Sequence, residues 1–151
     1  MNVRDQRTAY GETLVELGRK NPNIVVLDAD LGKSTMGCLF KQAFPERHFE
    51  MGIAEQNMMS AAAGLALAGK IPFAGSFAVF ASGRAYDQLR QTICIAGLNV
   101  KVCGSSSGLS DFGDGSTHQA VEDIAIMRAI PNMTVFAPVD DLETEKIVRY
   151  M

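Results

Sequence analysis

The sequence predicts an α/β fold with three layers, α/β/α, in which helices cover both faces of a mainly parallel sheet. Helix-like and strand-like segments alternate along the chain, which is the order expected of repeated βα units. The run Ile24-Val25-Val26-Leu27 is apolar throughout, as in a strand whose two faces are both buried. A length of 151 residues, 47% of them hydrophobic, fits one domain with a core of its own.

The predicted helices have apolar residues at three- and four-residue spacing or are rich in strong helix formers. They cover residues 7–20, 35–44, 55–68, 84–96 and 119–129, and a last one follows residue 140. Leu14 and Leu17 share a face of the first helix, and Gly69 suits the left-handed conformation that ends many helices. Asp140 is the predicted N-cap of the last helix, with Glu143 three residues later as in a capping box.

The predicted strands are the short apolar runs between these helices. They cover residues 24–27, 48–51, 71–77, 100–103 and 133–136, and a long loop of Ser, Gly and Asp follows the fourth. In parallel α/β sheets, ligands bind at the carboxyl ends of the strands. The candidate segments for a site are therefore residues 28–34, 52–56, 77–84 and 105–118.

Composition argues against several classes of function. The net charge is -3 without a long basic run, so neither nucleic acid nor an anionic membrane is indicated as a partner. The longest weakly polar stretch, residues 58–68, is much shorter than the ~20 residues of a membrane span. Cys38, Cys94 and Cys103 lie in apolar stretches without metal-ligand spacing, which favours reduced thiols and a cytoplasmic location.

Glu55 is the first candidate for chemistry. It follows a predicted strand and a tight turn at Gly52, and it opens a helix. A structural interpretation is available, because an acid in the first turn of a helix is favourable with the helix dipole by roughly 0.3–1 kcal/mol. The residues around Glu55 do not by themselves decide between this role and a functional one.

The long loop and an aromatic pair are the other candidates. Asp114 and His118 lie four residues apart between glycines, in a loop that is either functional or a solvated loop with a helix cap at Thr117. Phe77 and Phe80 lie three residues apart, and they fit either a plain core or a stacking surface for a flat ring.

Four segments, taken in order, resemble transketolases. They are GIAEQN at residues 52–57, SFAVFASGRAYDQLRQ at 76–91, GDGSTHQAVED at 113–123 and RAIPNMTVFAPVD at 128–140. Upstream, Asp28-Ala29-Asp30-Leu31 is similar to the acidic motif after the first strand of the family's pyrimidine-binding domain. The resemblance covers nearly the whole chain and is closest to split transketolases, whose second subunit begins with this domain.

The resemblance implies that the chain binds the aminopyrimidine of thiamine diphosphate. Glu55 matches the residue that hydrogen-bonds ring nitrogen N1′ and so activates the cofactor. Phe77 and Phe80 match aromatics that line the ring pocket, with Phe80 as the stacking partner. Asp30 and Leu31 match residues near the cofactor.

Further residues match positions on the substrate side. Asp114 and His118 match groups that bind the sugar hydroxyls and the reacting oxygen, and Arg7 and Ser34 match groups at the sugar-phosphate end. The implied reaction moves a two-carbon ketol unit from a ketose phosphate to an aldose phosphate. Arg84 is a further candidate for cofactor or substrate, as in the RAYDQ motif of related deoxyxylulose-phosphate synthases.

The sequence also departs from the family. Ser106 replaces a histidine that many transketolases place near the substrate phosphate, and Gly83 replaces a tyrosine found in some. Both replacements fall on the substrate side of the site, where they change the groups that meet a sugar phosphate.

The family's metal-diphosphate motif, GDG followed by Asn about 25–30 residues later, is missing, because Asn132 lies only 17 residues after Gly115. We therefore expect residues 1–151 to be a single pyrimidine-binding domain that stops before its last strand. The diphosphate-binding and C-terminal domains are then absent, and the fragment alone is expected to be inactive.

The partner implied by the resemblance is an N-terminal transketolase subunit that holds the diphosphate and Mg²⁺, in an assembly that also forms a homodimer. Two other interpretations remain open. One is a deoxyxylulose-phosphate synthase or the β subunit of a 2-oxoacid dehydrogenase. The other is a non-catalytic dimerisation module, in which the small residues of segment 60–69 let helices approach closely.

Overall fold

The sheet has four parallel strands in the order β2-β1-β3-β4, in a computed structural model that describes residues 4–151. The strands are β1 (Ile24–Asp28), β2 (His48–Glu50), β3 (Ile71–Phe77) and β4 (Lys101–Ser105). Val26 of β1 lies opposite His48 of β2 and Phe73 of β3. The predicted parallel sheet is confirmed, and four of the predicted strands are in it.

The helices lie between the strands, as the alternation predicted. They are α1 (Gln6–Lys20), α2 (Gly32–Thr35), α3 (Gly37–Ala43), α4 (Glu55–Leu67), α5 (Tyr86–Gln88), α6 (Asp123–Arg128) and α7 (Asp141–Tyr150). Wider π-helical turns, Val79–Arg84 and Leu89–Cys94, flank α5. None of the helices within residues 4–151 is long and apolar enough to cross a membrane.

The predicted helix ends are mostly found. Asp140 Oδ1 accepts a hydrogen bond from the Glu143 N–H at 2.7 Å, which confirms the cap of α7. Glu143 reaches one residue further back than in a standard capping box, because its carboxylate accepts from the Val139 N–H. Gly69, with φ of 83°, follows α4 in the predicted left-handed conformation.

The two faces of the sheet belong to separate cores, because neighbouring residues of a strand point in opposite directions. Val25 and Leu27 of β1 pack with Met58 and Met59 of α4 on one face. Alternate residues face the other core, which is formed by α1, α3, α7 and the opposite face of β1 and β3. Its buried residues are Tyr10, Leu14, Ile24, Val26, Phe40, Phe73 and Val148. This division confirms the predicted three layers.

Several predicted elements are wrong in detail. The second predicted helix is broken at Met36, whose φ is 64°, and helical structure after β3 begins at Val79, earlier than the predicted start at residue 84. The helix predicted from residue 119 begins at Asp123. Residues 133–136, predicted to be a strand, form none in the described sheet. They line an open cleft of about 1250 Å³ together with β4, so β4 does not lie close enough to pair with them.

Helix α1 packs very closely against the junction of α2 and α3. A Cβ atom added at Gly11 would lie 2.6 Å from the Met36 carbonyl oxygen and 2.9 Å from Met36 Cβ. Met36 joins the two short helices in a left-handed conformation that costs a non-glycine residue energy, so its backbone has little freedom to move away.

We expect Gly11→Ala to lower the free energy of unfolding by about 1–3 kcal/mol, because an overpacked contact with backbone cannot relax by a rotamer change. Urea unfolding followed by circular dichroism measures this. The matched control is Gly64→Ala in α4, where the added Cβ would meet no atom within 4 Å. That variant should gain roughly 0.5–1 kcal/mol from helix propensity. A Gly11→Ala protein as stable as wild type would contradict the packing argument.

Candidate functional site

The candidate residues from three strand ends come together at the carboxyl edge of the sheet. Glu55 follows β2, and His118 lies in the loop after β4. Phe77 is the last residue of β3, and Arg84 lies in the helical turn after it. Hydrogen bonds or ring contacts join them into one group. This is the edge at which a parallel sheet was expected to carry its site.

The turn before α4 places Glu55 in this group. Gly52 has a φ of 68°, in the left-handed region that glycine tolerates best. The carboxylate oxygen Oε1 of Glu50 accepts hydrogen bonds from the Gly52 N–H at 3.1 Å and from the Asp30 N–H at 2.8 Å. Glu50 therefore ties the loop after β1 to the turn that leads into α4.

The Glu55 carboxylate is almost fully buried, with 1% of its side chain exposed. Its oxygen Oε1 accepts a hydrogen bond from the Ser76 hydroxyl at 3.2 Å, and Oε2 accepts one from Arg84 Nη1 at 2.8 Å. A buried charge is tolerated only when it is paired and hydrogen-bonded, and both conditions are met here. The burial goes beyond what a helix-dipole role for Glu55 requires.

Aromatic rings form a wall beside this carboxylate. The rings of Phe77 and Phe80 lie 6.4 Å apart with an angle of 20° between their planes. The His118 ring meets Phe80 edge-on at 5.1 Å and Phe77 at 6.2 Å. The Arg84 guanidinium carbon lies 4.4 Å from the Phe80 ring centre.

The π-helical turn Val79–Arg84 explains why Phe80 and Arg84 meet. In such a turn the backbone bonds run from residue i to i+5, so residues four or five apart lie on the same side. An irregular loop over these residues would not fix this contact. The sequence carries both residues at a spacing of four, and the contact forms because this segment is helical.

Asp28 anchors the loop that carries Asp30 and Leu31. It is buried at the end of β1, where Oδ1 accepts from the Leu31 N–H at 2.7 Å and Oδ2 from the Thr35 hydroxyl at 3.3 Å. Burial raises the pKa of the Asp28 carboxyl above its ordinary value. Asp30 itself is exposed, with a left-handed φ of 62°, and Leu31 is half-buried.

The remaining candidates lie apart from the Glu55 group. Arg7 Nη1 contacts the backbone oxygen of Ser34 at 3.4 Å, which brings these two predicted residues together. Asp114 is exposed just before the short helical turn Gly115–Thr117. Within the described part of the chain, no hydrogen bond or ring contact joins Arg7, Ser34 or Asp114 to Glu55.

Sequence reasoning missed Ser76 and Glu50. A serine within the otherwise apolar strand β3 was a signal, because a buried hydroxyl needs a partner. Glu50 carried no comparable signal, since its role depends on two loops that meet only in the fold. Among residues 4–151, no group of three or more His, Cys, Asp or Glu side chains could hold a metal ion.

Comparison with known proteins agrees with this geometry. The family described as transketolase, pyrimidine binding domain, matches residues 3–151. A solved structure described as split gene transketolase, inactive beta4 tetramer, is 55% identical with a TM-score of 0.86, over 99% of this chain and 48% of that one.

Two curated relatives extend the likeness. A 6-deoxy-6-sulfo-D-fructose transketolase subunit of Clostridium sp. is 47% identical over 91% of this chain and 42% of its own length. The transketolase of Homo sapiens is 43% identical over 94% of this chain and 23% of its own length. The chain therefore spans less than half the length of each of these relatives.

The raised pKa of Asp28 gives a pH-dependent prediction. Because the folded state binds this proton more tightly than the unfolded state, stability is lost as pH rises above the unfolded value of 3.8. Asparagine mimics the protonated acid, since it keeps one acceptor and gains a donor for Thr35. The change in unfolding free energy caused by Asp28→Asn should therefore become more favourable from pH 4 to pH 7, in urea titrations at several pH values.

A control separates the charge from the hydrogen bonds. Asp28→Ala removes both acceptors and should destabilise the protein at every pH, by about 1–3 kcal/mol for the unsatisfied partners. A cost of Asp28→Asn that does not change with pH would contradict a buried, reluctantly charged carboxyl.

Proposed function

The chain belongs to the transketolase family through its pyrimidine-binding domain, and we propose that it supplies the aminopyrimidine-binding half of a thiamine diphosphate site. The observation that carries the proposal is the Glu55 carboxylate, 1% exposed and set beside two stacked phenylalanine rings at the carboxyl edge of the sheet. Such a site offers one strong hydrogen-bonding group and an apolar wall, as a flat heterocycle requires.

The residues present fit an aminopyrimidine ring. Its ring nitrogen needs a carboxyl group shielded from water. Glu55 is a buried acid at this edge, and Arg84 links it to the Phe80 ring. Its faces need flat apolar partners, and Phe77 and Phe80 provide them with nearly parallel rings. Asp30 and Leu31, on the loop anchored by Asp28, complete the cofactor side in this proposal.

Bound thiamine diphosphate supplies a carbon nucleophile that breaks and forms carbon–carbon bonds next to a carbonyl group. The part of this chain is to prepare that chemistry. Glu55 holds a proton in a hydrogen bond to ring nitrogen N1′, and its burial makes that bond stronger than it would be in water. Phe77 and Phe80 orient the ring and exclude water from the bond.

On the substrate side, His118 contacts the aromatic wall of the pocket, since it lies edge-on to both phenylalanines. We assign it to the reacting oxygen of a sugar phosphate, as an acid–base or hydrogen-bonding group. Asp114, Arg7 and Ser34 are assigned to the sugar hydroxyls and the phosphate, where the guanidinium of Arg7 suits a dianion. The reaction is then the transfer of a two-carbon ketol unit between sugar phosphates.

The other half of the site is assigned to a partner. Diphosphate and Mg²⁺ are proposed to bind an N-terminal transketolase subunit, and the assembly is proposed to contain two copies of this chain. The support is that two of the relatives are described as a subunit and as a split-gene protein, and that this chain covers under half of each. The three free cysteines are consistent with a reducing, cytoplasmic location.

The competing synthase and dehydrogenase functions receive no comparable support. The relatives reported above are transketolases by description, and one of them acts on a sulfo-sugar according to its name. Activity with xylulose 5-phosphate and ribose 5-phosphate, measured against pyruvate and glyceraldehyde 3-phosphate in the completed enzyme, would separate the alternatives.

The role of Glu55 predicts a split between binding and turnover. In the enzyme completed with its partner, Glu55→Gln should still bind thiamine diphosphate but lose roughly 10²–10⁴-fold in kcat, because the amide cannot shuttle the proton. Calorimetry and a coupled transketolase assay measure the two effects. Glu46→Gln, an exposed acid before β2, is the matched control and should leave both unchanged. Near-normal turnover of the Glu55 variant would refute the assignment.

A division of the site between two chains predicts that binding requires both. Titrated alone with thiamine diphosphate and Mg²⁺, this chain should show no micromolar binding. The strong charged contacts to the diphosphate are assigned to the partner subunit and are then missing. Adding the N-terminal subunit should produce micromolar binding and activity together. Micromolar binding by the isolated chain would contradict the division.

A further inference from the structure

Arg84 lies where the proposed ring would have to lie. Its Nη1 donates to Glu55 Oε2 at 2.8 Å, and its guanidinium carbon is 4.4 Å from the centre of the Phe80 ring. A hydrogen bond to Glu55 and stacking on Phe80 are the two contacts that an aminopyrimidine would make. A guanidinium is flat, charged and rich in donors, so it satisfies both contacts at once.

The ion pair with Arg84 stabilises the buried charge of Glu55. A carboxylate with 1% exposure would be costly without a positive partner, and its other partner within residues 4–151 is the neutral Ser76 hydroxyl. Arg84 therefore compensates the buried charge when no ligand is present.

The two partners differ in how easily they can move. Glu55 is enclosed at the start of α4, whereas the Arg84 side chain is 42% exposed and reaches inwards from the surface end of its helical turn. Arg84 can turn outwards into water and keep its charge hydrated, but Glu55 cannot leave without opening the core.

We propose that Arg84 is a positioning residue that acts through Glu55. It covers and pairs with the carboxylate while the pocket is empty, and it withdraws when a flat, nitrogen-bearing ring takes its two contacts. The pairing of Arg84 with Glu55 is a property of this chain alone. The displacement of Arg84 by a ring rests on the proposed function of Glu55.

Carboxyl labelling tests, without any ligand, whether Arg84 shields the Glu55 carboxylate. The folded chain is treated with a water-soluble carbodiimide and glycine ethyl ester, and labelling of Glu55 is followed by peptide mass spectrometry. Glu55 should be protected in wild type and label at least about tenfold faster in Arg84→Ala, the scale of losing one charged hydrogen bond. Arg84→Lys, which keeps the charge with shorter reach, should give an intermediate rate.

The matched control is Arg90→Ala, which removes a similar side chain from the next helical turn and should leave Glu55 protected. Equal labelling in wild type and Arg84→Ala, with both proteins folded by circular dichroism, would overturn the proposal. If Arg84→Ala does not fold, the same comparison is made with Arg84→Lys.

Titration with an aminopyrimidine tests whether such a ring displaces Arg84 from Glu55. The probe is 4-amino-5-hydroxymethyl-2-methylpyrimidine, added to the chain completed with its N-terminal subunit and followed by ligand-observed NMR. Arg84→Ala should bind it about tenfold more tightly than wild type, because the ring no longer displaces a charged hydrogen bond. In the Glu55→Gln background the gain should shrink. Equal or weaker binding by Arg84→Ala would overturn the exchange.

The two experiments fail differently. If labelling behaves as expected but no variant of the completed enzyme binds the pyrimidine, the proposed function of Glu55 fails, whereas the ion pair by which Arg84 covers Glu55 stands. If wild type and Arg84→Ala bind the pyrimidine equally, the proposed function stands and the role of Arg84 as a place-holder fails.

Discussion

The burial of the Glu55 carboxylate is the constraint on which the loops at the carboxyl edge of the sheet depend. A charge with 1% exposure requires partners, and they come from β3 through Ser76 and from the helical turn after β3 through Arg84. The chain must therefore pass from β3 directly into a helix. It must also enter α4 through a tight turn, which the left-handed conformation of Gly52 permits.

Asp28 is a second buried acid at the same edge, and the contrast with Glu55 separates structure from function. Asp28 is satisfied by the Leu31 N–H and the Thr35 hydroxyl, which belong to the loop after β1 and to the short helix α2 that follows it. Glu55 is satisfied partly by a long side chain that reaches in from the surface. An acid whose partner can withdraw is available to a ligand, whereas one bound to its own loop holds that loop in place.

The errors in the sequence-based prediction share a physical cause. The helical turn Val79–Arg84 was not predicted, because a π-helical turn follows neither the apolar period of an α-helix nor that of a strand. Residues 133–136 have the apolar pattern of a strand, but a strand exists only through bonds to a neighbour, and an open cleft lies between them and β4. Ser76 was missed because its partner is 21 residues away in sequence.

The sequence by itself determined the alternation of elements, the parallel sheet with two buried faces and the likeness to transketolase pyrimidine-binding domains. These properties follow from local periodicity and from ordered motifs, which are visible without coordinates. It also supplied Glu55, Phe80 and His118 as candidates, but with a structural interpretation open for each type of residue. Only the tertiary structure decided that Glu55 is buried and held by Arg84, because burial and ion pairing are made by segments that meet after the sheet has formed.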